Sequence, residues 1–392
     1  MTGGPKAPGG AAPGGPPVWT PKAQAYSVGP IPAPGTDSGT NTWMLAETFT
    51  PLNSDRYVSV GFTNSTGATS KAGPATMAFP ILDLTTGKVT EPVLASNGAL
   101  PMSTSLQHYD PAKGDAGLFT GFGDGATQYT YAHWDLASGK VDWTTSLGEL
   151  NDHTSMQPIG VDPKGQYFYF LKETAKDHAL GSYSHGDQAT VGRVDLKTHA
   201  VDWTHDVPLP GRTGTHDGGL SVQPSADFSK FAITEYSNAV DPANPAQGIV
   251  VDVATQSHTS FPIPATPYGV TFDRQNRYLA IAGNSEAKIH RYDLATNKED
   301  LVVGSVGHVQ ALALSSDNAH LYVFTQGRTM EVRDWPSLKL VKNMAAGSVL
   351  PGQAHLGGDG MAVMPDGKHA VLSKTEEPYG FRDATGFFSV GL

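Results

Sequence analysis

Residues 133–147 read His-Trp-Asp-Leu-Ala-Ser-Gly-Lys-Val-Asp-Trp-Thr-Thr-Ser-Leu, and this stretch decides the fold. An alternating run ends in Asp135, four residues turn, and a second alternating run follows Gly139, the pattern of a β-hairpin. An aspartate at that position can accept hydrogen bonds from backbone amides two residues on, and Gly139 can adopt the positive φ that closes the turn. The pattern recurs in residues 81–93 (ILDLTTGKVTEPV, with Gly87 closing), 193–207 (RVDLKTHAVDWTHDV), 250–263 (VVDVATQSHTSFPI), 291–303 (RYDLATNKEDLVV) and 332–344 (VRDWPSLKLVKNM). Successive aspartates Asp83, Asp135, Asp195, Asp252, Asp293 and Asp334 are 52, 60, 57, 41 and 41 residues apart. Intervals of that size mark a repeat built from one small sheet per unit.

Before each aspartate lie two further strand patterns joined by a turn, as in PIGVDPKGQYFYFL (158–171), GVTFDRQNRYLAIAG (269–283) and ALALSSDNAHLYVFT (311–325). Each unit therefore has four strands. The first runs from Trp43 to Val93, the second starts near Ser103, and a seventh starts near His355. That last unit ends on its third strand, GFFSVGL (386–392), without the aspartate turn. Residues 23–29, AQAYSVG, have the length and alternation to pair as its missing outer strand. The expected fold is all-β: a single seven-bladed β-propeller over 23–392, closed by an N-terminal strand that completes the last blade.

The Asp-Leu-x-Thr-Gly-Lys-Val form of the first units resembles the PQQ-like repeats of bacterial propellers. Residues 292–298 (YDLATNK), with 267–272 (PYGVTF) before them, resemble YVTN-type surface propellers. The resemblance implies a bacterial propeller of secreted or lipoprotein type and specifies no activity. The Gly-His and Trp-Asp signatures of WD repeats do not recur from unit to unit, and the cofactor-contacting pattern of quinoprotein dehydrogenases is missing.

The chain has 392 residues, 45 Gly, 29 Pro, no Cys and a net charge of −11. That charge opposes nucleic acid and acidic membrane surfaces, and no apolar run approaches the ~20 residues of a transmembrane helix. Without cysteine there are no disulfides, thiolate ligands or Cys nucleophiles. Residues 3–17 (GGPKAPGGAAPGGPP) lack the apolar bulk to pack, so 1–22 reads as a flexible Gly/Pro/Ala tether. It resembles the spacer behind a bacterial lipidated cysteine or signal cleavage site, which implies an extracellular or cell-envelope location with a lipid anchor upstream.

In a four-stranded blade, the connections between second and third strands share one rim with the loops that lead into each first strand. Here the long polar connections fall on that rim, which marks it as the recognition surface. Four of the lead-in loops carry a histidine, at His153, His216, His308 and His355, with Asp152, Asp217 and Asp359 adjacent or close in three of them. Converging imidazoles are candidate ligands for a divalent metal, and with the carboxylates they are candidates for acid–base chemistry. Tyr268 and Trp43 offer flat apolar platforms near the same opening, and Glu173 and Glu235 leave their strands toward it. No HExxH, G-x-S-x-G or Walker motif occurs. The leading expectation is an exported binding module that recognises a protein or a glycan through this rim. The alternative is a metal- or His/Asp-dependent hydrolase, lyase or oxidoreductase with its site at the channel mouth.

Overall fold

The computed structural model describes residues 23–27, 31–32, 42–52, 56–64, 76–79, 81–90, 93–95, 103–122, 127–176, 179–180, 186–209, 218–237, 246–263, 267–283, 286–325, 329–344, 361–364, 368–375 and 384–391. Every regular element among them is a β-strand. Five sheets have four strands each, spanning 103–149, 154–208, 218–262, 267–304 and 309–344, and each is a simple antiparallel succession in chain order. The remaining units share a nine-stranded sheet. In it, the strands Met361–Val363, His369–Thr375 and Ala384–Gly391 adjoin Thr42–Pro51 and Tyr57–Asn64.

The repeated turns have the expected chemistry. The Asp83, Asp135, Asp195 and Asp293 carboxylates accept the amides of Thr85 at 2.9 Å, Ala137 at 3.0 Å, Lys197 at 2.7 Å and Ala295 at 2.8 Å. The fourth residue after each aspartate has positive φ, at 67° for both Gly87 and Gly139. The same position holds His199 at 58°, Gln256 at 52°, Asn297 at 55° and Leu338 at 55°, so the turn geometry forces non-glycine side chains into the left-handed region. In the first unit the returning hairpin is broken into two pieces. Ile81–Asp83 pairs with Lys88–Thr90, and Thr76–Ala78 pairs with Val93–Ala95. The two pieces keep one register.

Burial follows position in the sheet. The second strands are almost continuously buried, as in Tyr278–Gly283 and His320–Thr325, because neighbouring sheets cover both faces. Outer strands such as Lys140–Glu149 alternate buried and exposed. Each core is shared across a seam. Tyr169, Leu171 and Val191 of the second four-stranded sheet pack with Phe231, Ile249 and Val251 of the third. Phe119 and Tyr131 of the first sheet pack with Phe168 and Phe170 of the second, and Leu52 and Ile81 pack with Leu118 and Trp134. The first strands of successive four-stranded sheets also touch along 103–314, and Met361–Val363 touches Thr42–Pro51.

The N-terminal strand Ala23–Ser27 pairs antiparallel with Ala384–Gly391, with Tyr26 opposite Phe387. Beginning the chain at Asn41 removes this strand, and Tyr26→Pro puts a residue without an N–H into it. Both are expected to lower the thermal midpoint in a calorimetric melt, the deletion more than the substitution. Gly192 lies directly across from Phe170, and a Cβ there would overlap the Phe170 ring. Gly192→Ala is therefore expected to cost about 1–3 kcal/mol in denaturant unfolding.

Candidate functional site

At the end of the sheets where second strands give way to third strands, carboxylates hold the backbone among the described residues. Glu173 ends the strand Tyr167–Thr174, and its Oε1 accepts the Gly186 amide at 2.5 Å. Glu235, 2% exposed, ends the equivalent path in Lys230–Ser237 and accepts the Gln247 amide at 2.8 Å. Each glutamate thus fastens the start of the third strand to the end of the second across a long connection.

Glu331 does the equivalent work for a lead-in loop. It is 0% exposed, and its Oε1 accepts the Ser305 hydroxyl at 2.9 Å and the Val306 amide at 2.5 Å. Its other oxygen receives Arg333 Nε at 2.6 Å, while Arg333 donates onward to the carbonyls of Leu338 at 2.9 Å and Gly304 at 2.5 Å. A buried ion pair is tolerated only where such extra hydrogen bonds complete it. The product is a fixed loop that presents Val306, 52% exposed, beside the exposed His308.

Of the other nominated residues, His153 is half-buried, its amide donates to Asn151 Oδ1 at 3.0 Å, and its ring faces Asp152 at 3.5 Å. Tyr268 is half-buried on Pro267–Phe272. Trp43 lies on Thr42–Pro51, at the edge where Ile31 pairs with it. His216, Asp217, His355 and Asp359 lie outside the described residues, as do His178 and His185 of the long 175–187 connection. Among the described residues, no group of three or more His, Cys, Asp or Glu is arranged to hold a metal.

The opposite end of the sheets holds a feature that the sequence pattern did not single out. A cavity of about 490 Å³ opens between the first and second four-stranded sheets, lined among others by His108, Asp115, His133, Trp143, Tyr167 and His199. Asp115 sits between two histidines: His108 Nε2 at 3.1 Å and His133 Nε2 at 3.8 Å. His133 Nδ1 also meets Asp142 at 2.6 Å. Cross-strand pairing brings them together, since Gly117 stands opposite both His108 and His133. Trp143 is stacked between His133, 5.3 Å away at 4°, and His199, 4.0 Å away at 9°. The left-handed backbone of His199 is what turns that ring into the seam. Burial pushes the Asp115 carboxyl up, but the hydrogen bonds from the two histidines outweigh it and hold the group below the usual carboxylate range. The facing Asp115 carboxylate raises His133 above its ordinary 6.5, against burial and with help from Asp142.

No protein-family model matches this chain, and no curated protein sequence matches it. The resemblance to PQQ-like and YVTN-type repeats therefore carries no family assignment. Among solved structures, a chain of the "Crystal Structure of Mitotic Checkpoint Complex" aligns over 100% of this chain and 98% of its own, with TM-score 0.51 and 13% identity. A likeness at that identity is one of fold alone. The repeated four-stranded antiparallel sheets are propeller-like. No helix among the described residues is long and apolar enough to cross a membrane.

Two outcomes test this geometry. Glu331→Ala strands Arg333 in the core and is expected to destabilise the protein by about 3–5 kcal/mol in denaturant unfolding. For His133, the raised folded value means a stabilising contribution that is full below 6.5 and is lost as pH rises through that folded value. The depressed Asp115 contributes above the ordinary carboxylate range, 3.8, and that contribution is lost as pH falls through its lowered value. Asp115→Asn should therefore move the His133 titration downward, read from its ring-proton NMR shifts, and flatten the pH dependence of stability above pH 6.5.

Proposed function

We propose that the chain is a seven-bladed propeller that recognises a protein partner through the rim bearing its long connections and lead-in loops. The pairing of Ala23–Ser27 with Ala384–Gly391 supports closure of the ring by both ends of the chain. The observation that carries the recognition is the set of carboxylates Glu173, Glu235 and Glu331, each spent on backbone amides of rim loops. Loops fixed in advance lose less conformational entropy on docking, so a partner's contacts are converted into affinity more fully. Val306 supplies an apolar contact in the most firmly held of these loops, with His308 as a polar neighbour. The opposite end of the sheets has tight turns, such as Asp162–Gly165 closed by a 2.9 Å hydrogen bond, and offers less reach.

The Gly/Pro/Ala composition of residues 1–22 supports a tether that presents this ring outside the cytoplasm, behind a lipid-anchored or cleaved leader. A tether of that kind raises the effective concentration of a partner once one contact has formed.

The test is affinity capture from source-cell extracts and culture medium, with a glycan array in parallel. Val306→Asp combined with His308→Ala should weaken capture of a protein partner at least tenfold. Lys113→Glu combined with Lys197→Glu, on the opposite face, should leave it intact. Unchanged capture by the rim variant, loss confined to the opposite-face variant, or binding of glycans alone would each overturn the proposal.

A further inference from the structure

Away from both the rim and the cavity, two histidines from different sheets meet on the perimeter. His205 lies on Ala200–Pro208, the outer strand of the second four-stranded sheet, and His258 lies on Ser257–Pro262, the outer strand of the third. Although 53 residues apart in sequence, they place His205 Nε2 3.0 Å from His258 Nδ1, with ring centroids 5.3 Å apart and planes inclined at 60°. The shared core beneath them, from Tyr169 and Val191 to Phe231 and Val251, fixes the two strands relative to each other.

We propose that His205 and His258 form a binding site for a divalent transition metal that clips the second and third sheets together at their outer edges. Two imidazole nitrogens bound at about 2.0–2.1 Å in neighbouring coordination positions stand roughly 3 Å apart, the separation already present here. The rings therefore need only a small turn about their terminal torsions, which have broad wells, for both lone pairs to converge on one ion. Trp203 lies nearly parallel to His205, 6.3 Å away at 11°, and backs that ring from the protein side.

Coordination uses the neutral imidazole of each ring. Without metal, one N–H lies between the two nitrogens. On binding, that proton moves to the other nitrogen of its own ring, and the metal takes its place with no change in oxidation state. The pair is open to solvent, since His258 is exposed and His205 only partly buried.

The ligand set defines the chemistry of the ion. Asp206 is adjacent in sequence, but its side chain leaves the opposite face of the strand, where it accepts the Thr190 hydroxyl at 2.7 Å. Among the described residues no third His, Cys, Asp or Glu completes a cluster, so water fills the remaining positions. Two imidazoles with open positions select Cu(II), Ni(II) and Zn(II) over Ca(II) and Mg(II), which require oxygen cages, and Cu(II) binds tightest. A ligand that binds only the assembled seam stabilises the folded state by mass action.

The experiment uses the full chain, with Zn(II) followed by calorimetric titration and thermal melting, and Cu(II) followed by electron paramagnetic resonance. The expected result is one tight equivalent, a higher melting midpoint with Zn(II), and copper superhyperfine structure from two nitrogens. His205→Gln and His258→Gln should each weaken binding at least tenfold and abolish the midpoint shift. His320→Gln, on the fifth four-stranded sheet, should change neither. Metal-free melts of the variants establish that they fold, and the copper spectrum of the unaltered protein tests the site without any substitution. A copper signal lacking two nitrogens, no rise in midpoint with Zn(II), or undiminished binding in His258→Gln would overturn the proposal.

Discussion

The structure depends on apolar contact across the seams between sheets. A four-stranded antiparallel sheet has two faces, and its middle strands here are apolar on both: Tyr167–Thr174 reads Tyr-Phe-Tyr-Phe-Leu before it turns polar. One face of Tyr169 and Leu171 is covered by the sheet that follows, while Phe168 and Phe170 reach the sheet before. No sheet can satisfy this alone, so successive sheets pack face to face. The outer strands feel the constraint least, and they are where polar and charged residues alternate.

Within that stack, charge is used to position backbone. Glu173, Glu235 and Glu331 are carboxylates removed wholly or partly from water, and each is satisfied by amides of loops that would otherwise have orphaned donors. At the other end, aspartates do the same for the tight turns: Asp162 accepts Gln166 at 2.6 Å and Tyr167 at 2.7 Å, and Asp273 accepts Arg277 at 2.6 Å. The two ends differ in what the carboxylates hold. At one they close short turns that leave little to recognise. At the other they hold the approaches to two third strands and one lead-in loop.

The repeat was legible in the sequence because hairpin chemistry is local. An aspartate, a turn and a left-handed fourth residue act within five positions, so Asp83 to Gly87 and Asp135 to Gly139 announce themselves. The N-terminal strand was legible for a different reason: the last unit lacked a strand and residues 23–29 had no other place. That this hairpin returns in two pieces was not anticipated. Of the residues nominated for the site, the position of Glu173 and Glu235 near strand ends was legible. Their role was not, since a glutamate that clamps a loop and one that faces a ligand look identical in sequence.

By itself, then, the sequence determined the element type, the number of strands in the repeated unit and the turn positions, because all of these follow from contacts between near neighbours. Tertiary structure alone decided which side chains meet. His108, Asp115 and His133 come together through cross-strand register, His199 reaches Trp143 through a left-handed turn in the adjacent sheet, and His205 meets His258 across a seam. Such pairings depend on how sheets twist and pack against one another, and no local pattern of residues encodes that.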